Sequence, residues 1–327
     1  MKNYAFPPLG EFEFIDSVLK NSIHPEPSFP KKREWLSAGD DAALFDGWLI
    51  TKDMSAEGTH FRLDFSTPEE AVEKNIVSNI SDISAMGGTP KLALLGICNA
   101  RHWSAQTRTR IANAFGKGLS KRNIALIGGD TITAETGLFS LTLLGLPGST
   151  VLKRNAAKPG DKIYVVGSLG KSAAGLWILF HQKEASKKYE RLVKYHLCPA
   201  ITENMGALLA ESGISGACMD ISDGLSSELN HLALSSAVSF KIDKNKLPVD
   251  EDVLKMSLEF SLEPFDFALN GGEEYQLLFT TSDKNSIFKL QEFYSITEIG
   301  EVVEGSQVYL LDNGTESILP AKAWTHL

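Results

Sequence analysis

Seven aspartates in five short segments carry the chemistry that this sequence offers. Asp40 and Asp41 follow Gly39, and Asp53 follows Thr51. Asp82 closes Asn79-Ile80-Ser81-Asp82, and Asp130 follows Gly128-Gly129. Asp220 and Asp223 flank Ile221-Ser222 and lead into Gly224. Carboxylates and hydroxyls in tight turns are what a hard cation needs, because Mg²⁺ takes oxygen ligands and shares them with substrate phosphates. Brought together, such segments would form a multi-metal phosphate site. The chain is therefore expected to handle a nucleoside triphosphate through Mg²⁺.

Each segment also has a plain reading. Gly39-Asp40-Asp41 is either a ligand loop or a solvated turn. Thr51 and Asp53 are two apart in an apolar run, so one hydroxyl and one carboxylate share a strand face. Asp82 lies among Asn75, Ser78, Asn79 and Ser81 on an otherwise apolar helix. Gly128-Gly129-Asp130-Thr131 reads as a turn after a buried strand, open to a phosphate or simply tight. Asp223 suits a helix N-cap, but capping needs neither Asp220 nor Ser222, and the three together suit a cation with a phosphate. Gly271-Gly272-Glu273-Glu274 puts acids on a glycine turn, with Glu274 read as surface. His60 is a lone histidine, and Arg154 is either a phosphate-binding fork or part of a charged run. Gly167-Ser168-Leu169-Gly170-Lys171-Ser172 is not a P-loop, since too few residues separate Gly167 from Gly170-Lys171.

Composition narrows the setting. The chain has 327 residues, 43% hydrophobic and 22% charged, enough for one large or two ordinary domains. A net charge of −9 argues against nucleic-acid and anionic-membrane surfaces. The three cysteines, Cys98, Cys198 and Cys218, have no zinc-type spacing and suit a reducing cytoplasm. No apolar run approaches the roughly 20 residues of a membrane span, and the first ten residues do not read as a signal peptide.

The elements that must position these residues alternate between strand and helix. A helix is expected over 11–20, a strand over 48–51, and a helix from the Thr67-Pro68-Glu69-Glu70 start to about Met86. Strands follow at 91–98, 124–127 and 138–146, with a helix over 103–120. Pro147-Gly148 and the basic stretch after it suggest a junction, giving domains 1–148 and 149–327. In the second half, strands are expected at 162–166, 217–219, 275–280, 296–303 and 308–311. Helices are expected over 172–180, 184–196, 199–212 and 225–234. The class is α/β (α+β).

Taken in order, the segments resemble thiamine-monophosphate kinases over nearly the whole chain. The matching parts are Gly10-Glu11-Phe12, Gly39 to Ala43, Thr51 to Asp53, Gly58-Thr59-His60-Phe61, Asn79 to Gly87 and Gly128 to Thr131. Arg154 with Lys158-Pro159-Gly160-Asp161, Ser172 to Leu176, Asp220 to Leu225 and Gly271 to Tyr275 complete the set. The resemblance implies phosphorylation of thiamine monophosphate by ATP, by direct transfer with no protein nucleophile. It implies that Asp41, Thr51, Asp53, Asp82, Asp130, Asp220 and Asp223 hold several Mg²⁺ ions. Gly129, Asp130, Arg154 and Ser222 would contact ATP, and His60, Glu273 and Trp324 the thiamine substrate. It also implies a two-domain fold similar to that of aminoimidazole ribonucleotide synthetase, a homodimer whose N-terminal sheets close into a barrel, and a cytoplasmic setting. One position departs: Lys52 stands where the family often has a hydroxyl, and is either a lost ligand or a phosphate-binding cation. The same superfamily contains cyclising and selenium-activating synthetases, but the latter need a reactive cysteine near the N-terminus, and the first here is Cys98. A nucleotide-binding scaffold without turnover would have lost metal ligands, and all seven aspartates remain.

Overall fold

The structure, a computed structural model, describes Val18 and residues 35–36 and 39–322. The helix expected over 11–20 (apart from Val18), the Gly10-Glu11-Phe12 segment and Trp324 lie outside the described residues.

The first half comprises β1 (Trp35–Leu36), β2 (Ala43–Phe45), β3 (Trp48–Ala56), α1 (Pro68–Ala85), β4 (Gly88–Ala100), α2 (Ala105–Ser120), β5 (Ala125–Ala134) and β6 (Leu138–Pro147). Its six strands pair in the order β1-β2-β3-β6-β4-β5, with only β4 and β5 parallel. One face of the sheet carries Leu49, Phe139, Leu141 and Leu143, which pack against Ile76, Ile80 and Ile83 of α1 and Phe115 of α2. The other face is open and partly apolar: Met54, Leu94, Ile132 and Leu146 are exposed there.

The second half comprises β7 (Lys162–Val166), α3 (Lys171–His181), α4 (Glu190–Leu197), α5 (Met205–Glu211), β8 (Cys218–Asp220), α6 (Leu225–Ser236) and β9 (Ser239–Asp243). It continues with α7 (Glu251–Phe260), α8 (Pro264–Asn270), β10 (Leu277–Thr281), α9 (Lys284–Gln291), β11 (Ile296–Val303), β12 (Val308–Asp312) and β13 (Thr315–Ile318). The sheet order is β13-β12-β9-β11-β7-β10-β8. Among the described residues, no helix is long and apolar enough to cross a membrane.

Helix α1 positions the site. It starts as its sequence requires, with Pro68 in the first turn and a capping box in which Thr67 Oγ1 accepts from Glu70 N–H and Glu70 Oε2 from Thr67 N–H. It is buried almost all round, as a helix between two layers must be. Its apolar residues face the first sheet, and its polar residues, Lys74, Asn75, Asn79 and Ser81, reach β3 and the second half. A further apolar cluster seals the seam, joining Ala85 and Leu152 to Tyr164, Met205 and Phe279.

Several expectations are corrected. Gly128-Gly129 is not a turn after a buried strand. β5 runs through both glycines and is exposed along its whole length. Gly129 is required by close approach: a Cβ there would lie 2.0 Å from Leu95 O. The helix expected over 184–196 is broken into a 3₁₀ turn, Lys183–Lys187, and α4. The one expected over 199–212 shrinks to α5, because 199–204 stay irregular. Asp53 lies within β3 rather than at its end, and the strand expected from Tyr275 starts at Leu277.

Candidate active site

Asp41, Asp82 and Asp220 converge from a loop, from α1 and from the end of β8. One carboxylate oxygen from each lies within 4.8 Å of the others. Thr51 Oγ1 donates to Asp82 Oδ2 at 2.5 Å, and Ser81 Oγ donates to Asp220. Asp53 joins this face of β3, with its backbone N–H on Asn79 Oδ1 at 3.0 Å. Burial and the neighbouring Asp53, Asp220 and Asp41 charges push the Asp82 carboxyl well above the usual range. Burial and Asp41 do the same to Asp220, and burial raises Asp53. Like charges this close, with carboxylate and hydroxyl donors only, fit a hard divalent cation.

One fixed cation faces them. Arg154 forks onto Asp41, with Nη2 at 2.7 Å from Oδ1 and Nε at 3.2 Å from Oδ2. Its backbone N–H also donates to Asp40. Asp40, which the ligand set above omits, is pushed up to about 7 by burial and by Asp41. Arg154 is thus a neutralising partner of the acidic loop and not part of a solvated run.

Asp223 is not the N-cap of α6, since Gly224 holds that place without a side-chain cap. Instead Glu228, one turn into the helix, accepts from Ser222 N–H at 3.1 Å and from Asp223 N–H at 2.7 Å. Burial drives its carboxyl up to about 8. The loop is zipped to the next glycine turn by Glu273 N–H to Ser222 O at 2.6 Å and Tyr275 N–H to Ile221 O at 2.7 Å. Gly272 makes this possible: a Cβ there would lie 2.6 Å from Ser222 O. Glu273 and Tyr275 adopt φ of +61° and +54°, and backbone strain of this kind clusters at functional sites. Glu274, expected on the surface, is 1% exposed and accepts from Ser172 N–H at the start of α3.

A cavity of about 440 Å³ opens beside these loops, lined among others by Asp53, His60, Ser222, Asp223, Glu273 and Tyr275. Residues expected to hold metal and residues expected to hold the acceptor thus share one space. The Ala56 N–H donates to His60 Nδ1 at 3.1 Å, which leaves the proton of the neutral ring on Nε2. Burial would raise the Glu273 carboxyl, but the Lys74 ammonium 2.7 Å away outweighs it and holds the group below its usual value.

Asp130 stands apart. It pairs with Gly96, which pairs with Ser140, which pairs with Met54, so this row belongs to the open face of the sheet. Asp53 lies in the adjacent row, on the helix-covered face. Three strand spacings, about 14 Å, separate β5 from β3, so within one chain Asp130 does not join Asp53. Lys52 also points to the open face, where Nζ donates to Ser140 Oγ at 2.6 Å.

Residues that sequence reasoning passed over are Lys74, Glu228, His196 and Asp40. Lys74 and His196 had no local signal, because their partners lie far along the chain. Glu228 had one: an acid one turn after a Ser-Asp-Gly start can reach back to the loop.

The two halves match two consecutive family models, the N-terminal domain of AIR synthase related protein over residues 39–146 and its C-terminal domain over residues 158–313. The fold is therefore the two-domain AIR synthase related class. The chain is 32% identical to the thiamine-monophosphate kinase of Bacillus subtilis (strain 168), covering 97% of this chain and 99% of that one. It is 36% identical to the thiamine-monophosphate kinase of Pyrococcus horikoshii, covering 88% and 90%. The solved structure of AaThiL complexed with AMPPCP and TMP superimposes with a TM-score of 0.81 at 30% identity, covering 98% and 97%. The chain belongs to the thiamine-monophosphate kinase family.

Proposed function

We propose that this chain transfers the γ-phosphoryl group of ATP to the phosphate of thiamine monophosphate, giving thiamine diphosphate and ADP. The observation that carries the reading is the single cavity in which Asp53 and Asp223 face the same space as His60 and Glu273. The acceptor oxygen is already an anion, so the protein needs no general base and no nucleophile; its work is positioning and charge neutralisation. Asp41, Asp82 and Asp220, with Thr51, Asp53 and Asp223 beside them, are the residues that would hold Mg²⁺. When bound, the ions supply the positive charge that lets two phosphates approach. Arg154 and the Ser222 loop approach the nucleotide phosphates. His60 Nε2–H and the Glu273 carboxylate approach the thiamine end, and Trp324 is retained as a third contact there.

The proposed assembly is a homodimer. Its support is the exposed edge strand β5 and the apolar open face with Met54, Leu94 and Ile132, a combination that monomers rarely leave uncovered. In a pair joined along this face, Gly129 and Asp130 of one protomer serve the nucleotide and metal site at the interface. The proposed domain division remains 1–148 and 149–327, and the proposed setting is the cytoplasm, in keeping with three free cysteines.

The test is product identification after mixing the purified chain with ATP, Mg²⁺ and thiamine monophosphate. Thiamine diphosphate with equimolar ADP is the expected result. ATP hydrolysis without it, or labelled phospho-enzyme, overturns the reading.

A further inference from the structure

Lys74 is a buried lysine that no phosphate or metal role explains. It lies on α1 with its side chain 7% exposed, and its ammonium crosses the seam to Glu273 Oε2 at 2.7 Å. The same nitrogen donates to His60 O at 3.3 Å. One buried cation therefore ties together two residues that face the acceptor end of the cavity, one from each half of the chain. The remaining neighbour of Glu273 is His196, whose Nδ1 lies 3.5 Å from Oε2 and 3.1 Å from Ser172 Oγ. Burial and the Lys74 charge lower His196 to about 3, so it stands neutral. Among these contacts Lys74 supplies the positive charge.

We propose that Lys74 is the positioning residue of the acceptor pocket, holding the Glu273 carboxylate and the His60 loop in the one arrangement that selects an acceptor ring bearing an amino group. The inference rests on thiamine monophosphate being the acceptor. Its pyrimidine carries an exocyclic amine, a pure donor at that position. A carboxylate fixed by Lys74 accepts only, and so matches the amine and rejects an oxygen in its place. A pocket built to hydrogen-bond one partner discriminates strongly against the analogue that leaves its groups unpaired. Without the ammonium, the carboxylate is a buried charge lacking its partner. It then turns to water or takes up a proton, and a protonated carboxyl donates as readily to an oxygen as it accepts from an amine.

The experiment is steady-state kinetics of the full chain, wild type, K74M and the double variant K74M/E273Q. Each receives thiamine monophosphate or its analogue with oxygen replacing the pyrimidine amino group, and ATP is varied separately. For K74M, KM for thiamine monophosphate should rise about tenfold or more, with KM for ATP within about twofold. The preference for amine over oxygen should fall about tenfold. K74M/E273Q should recover the thermal stability lost in K74M, because the uncompensated charge is gone, but not the preference. If K74M does not fold, the double variant carries the test: a retained preference overturns the proposal. Equal losses towards ATP and acceptor with the preference unchanged make Lys74 a strut between domains, and also overturn it. A wild type that does not turn over thiamine monophosphate overturns the substrate reading and this inference together. Wild-type turnover with an unchanged preference in both variants overturns the role of Lys74 alone.

Discussion

The two ends of the cavity treat negative charge in opposite ways. At one end, Asp41, Asp82 and Asp220 crowd together with Arg154 as their fixed cation, and burial with mutual repulsion drives Asp82 and Asp220 far up. At the other, Glu273 meets Lys74 at 2.7 Å and is held down. Both ends draw on α1, which carries Asp82 and Lys74 two turns apart. The difference teaches where a folded chain leaves electrostatics unfinished. Charge is left unbalanced where a mobile cation must enter with its phosphate. It is balanced internally where an organic ring must be read in a fixed geometry.

Four measurements break or sharpen this contrast. The largest effect belongs to the unbalanced end: Asp220→Asn and Asp82→Asn should each lower kcat by about 10³-fold, as expected for lost metal-mediated charge stabilisation. The same variants should melt higher than wild type without Mg²⁺, because a repelling charge has gone. Activity that survives in both variants would remove the aspartates from the metal site. Next comes metal removal. Chelation should abolish turnover and lower the melting temperature of wild type, while Asp82→Asn should show a smaller thermal response to Mg²⁺. An equal response in both would place the cation elsewhere.

A third carboxylate sharpens the contrast through pH. Glu274 is fully covered, and burial raises it from 4.5 to about 7 despite Lys171 and the Ser172 N–H. A raised folded-state value means that its stabilising contribution is complete below about pH 4.5 and is lost as pH climbs through about 7. Glu274→Gln removes that loss. It should therefore be more stable than wild type at pH 8, by about 1–3 kcal/mol, and gain little at pH 5. Thermal melts at the two pH values check this, and an equal shift at both would deny the assignment. The smallest effect is expected at Lys52. Because its side chain points to the open face with Ser140, Lys52→Thr should change kcat by less than about threefold in the monomer's own terms. A large rise in activity, or a new metal requirement, would show that the open face joins the reaction.

Much of this was readable from the chain, for reasons that differ by region. The Thr67 to Glu70 start and the stop at Gly87 declare α1 locally, and the alternation of β6 declares its buried face, so the scaffold of the site was legible. So were the acidic segments, since loops that bind hard cations have few chemical alternatives. What failed was whatever depends on distant partners. Gly128-Gly129 looks like a turn because glycine usually marks one, yet here it lets β5 lie against Leu95. Asp223 looks like a cap until Glu228 is seen to do that work. Lys74 reads as an ordinary helix lysine until a residue 199 positions away closes on it. Asp130 was read with the other aspartates, but the register of β5 turns it to the opposite face.

The seam along α1 has a consequence for how the enzyme moves through its cycle. Ser81 with Asp220, Lys74 with Glu273 and the Gly206 N–H on Ser84 Oγ all cross it, and a closed apolar cluster lies beneath them. Bending the halves apart would strand a lysine and two acids in a dry interior, so jaw-like opening is a poor route for traffic. Nucleotide and vitamin must then enter and leave by the mouth of a standing pocket, and turnover would be paced by the shedding of a metal-clamped product rather than by a swinging domain.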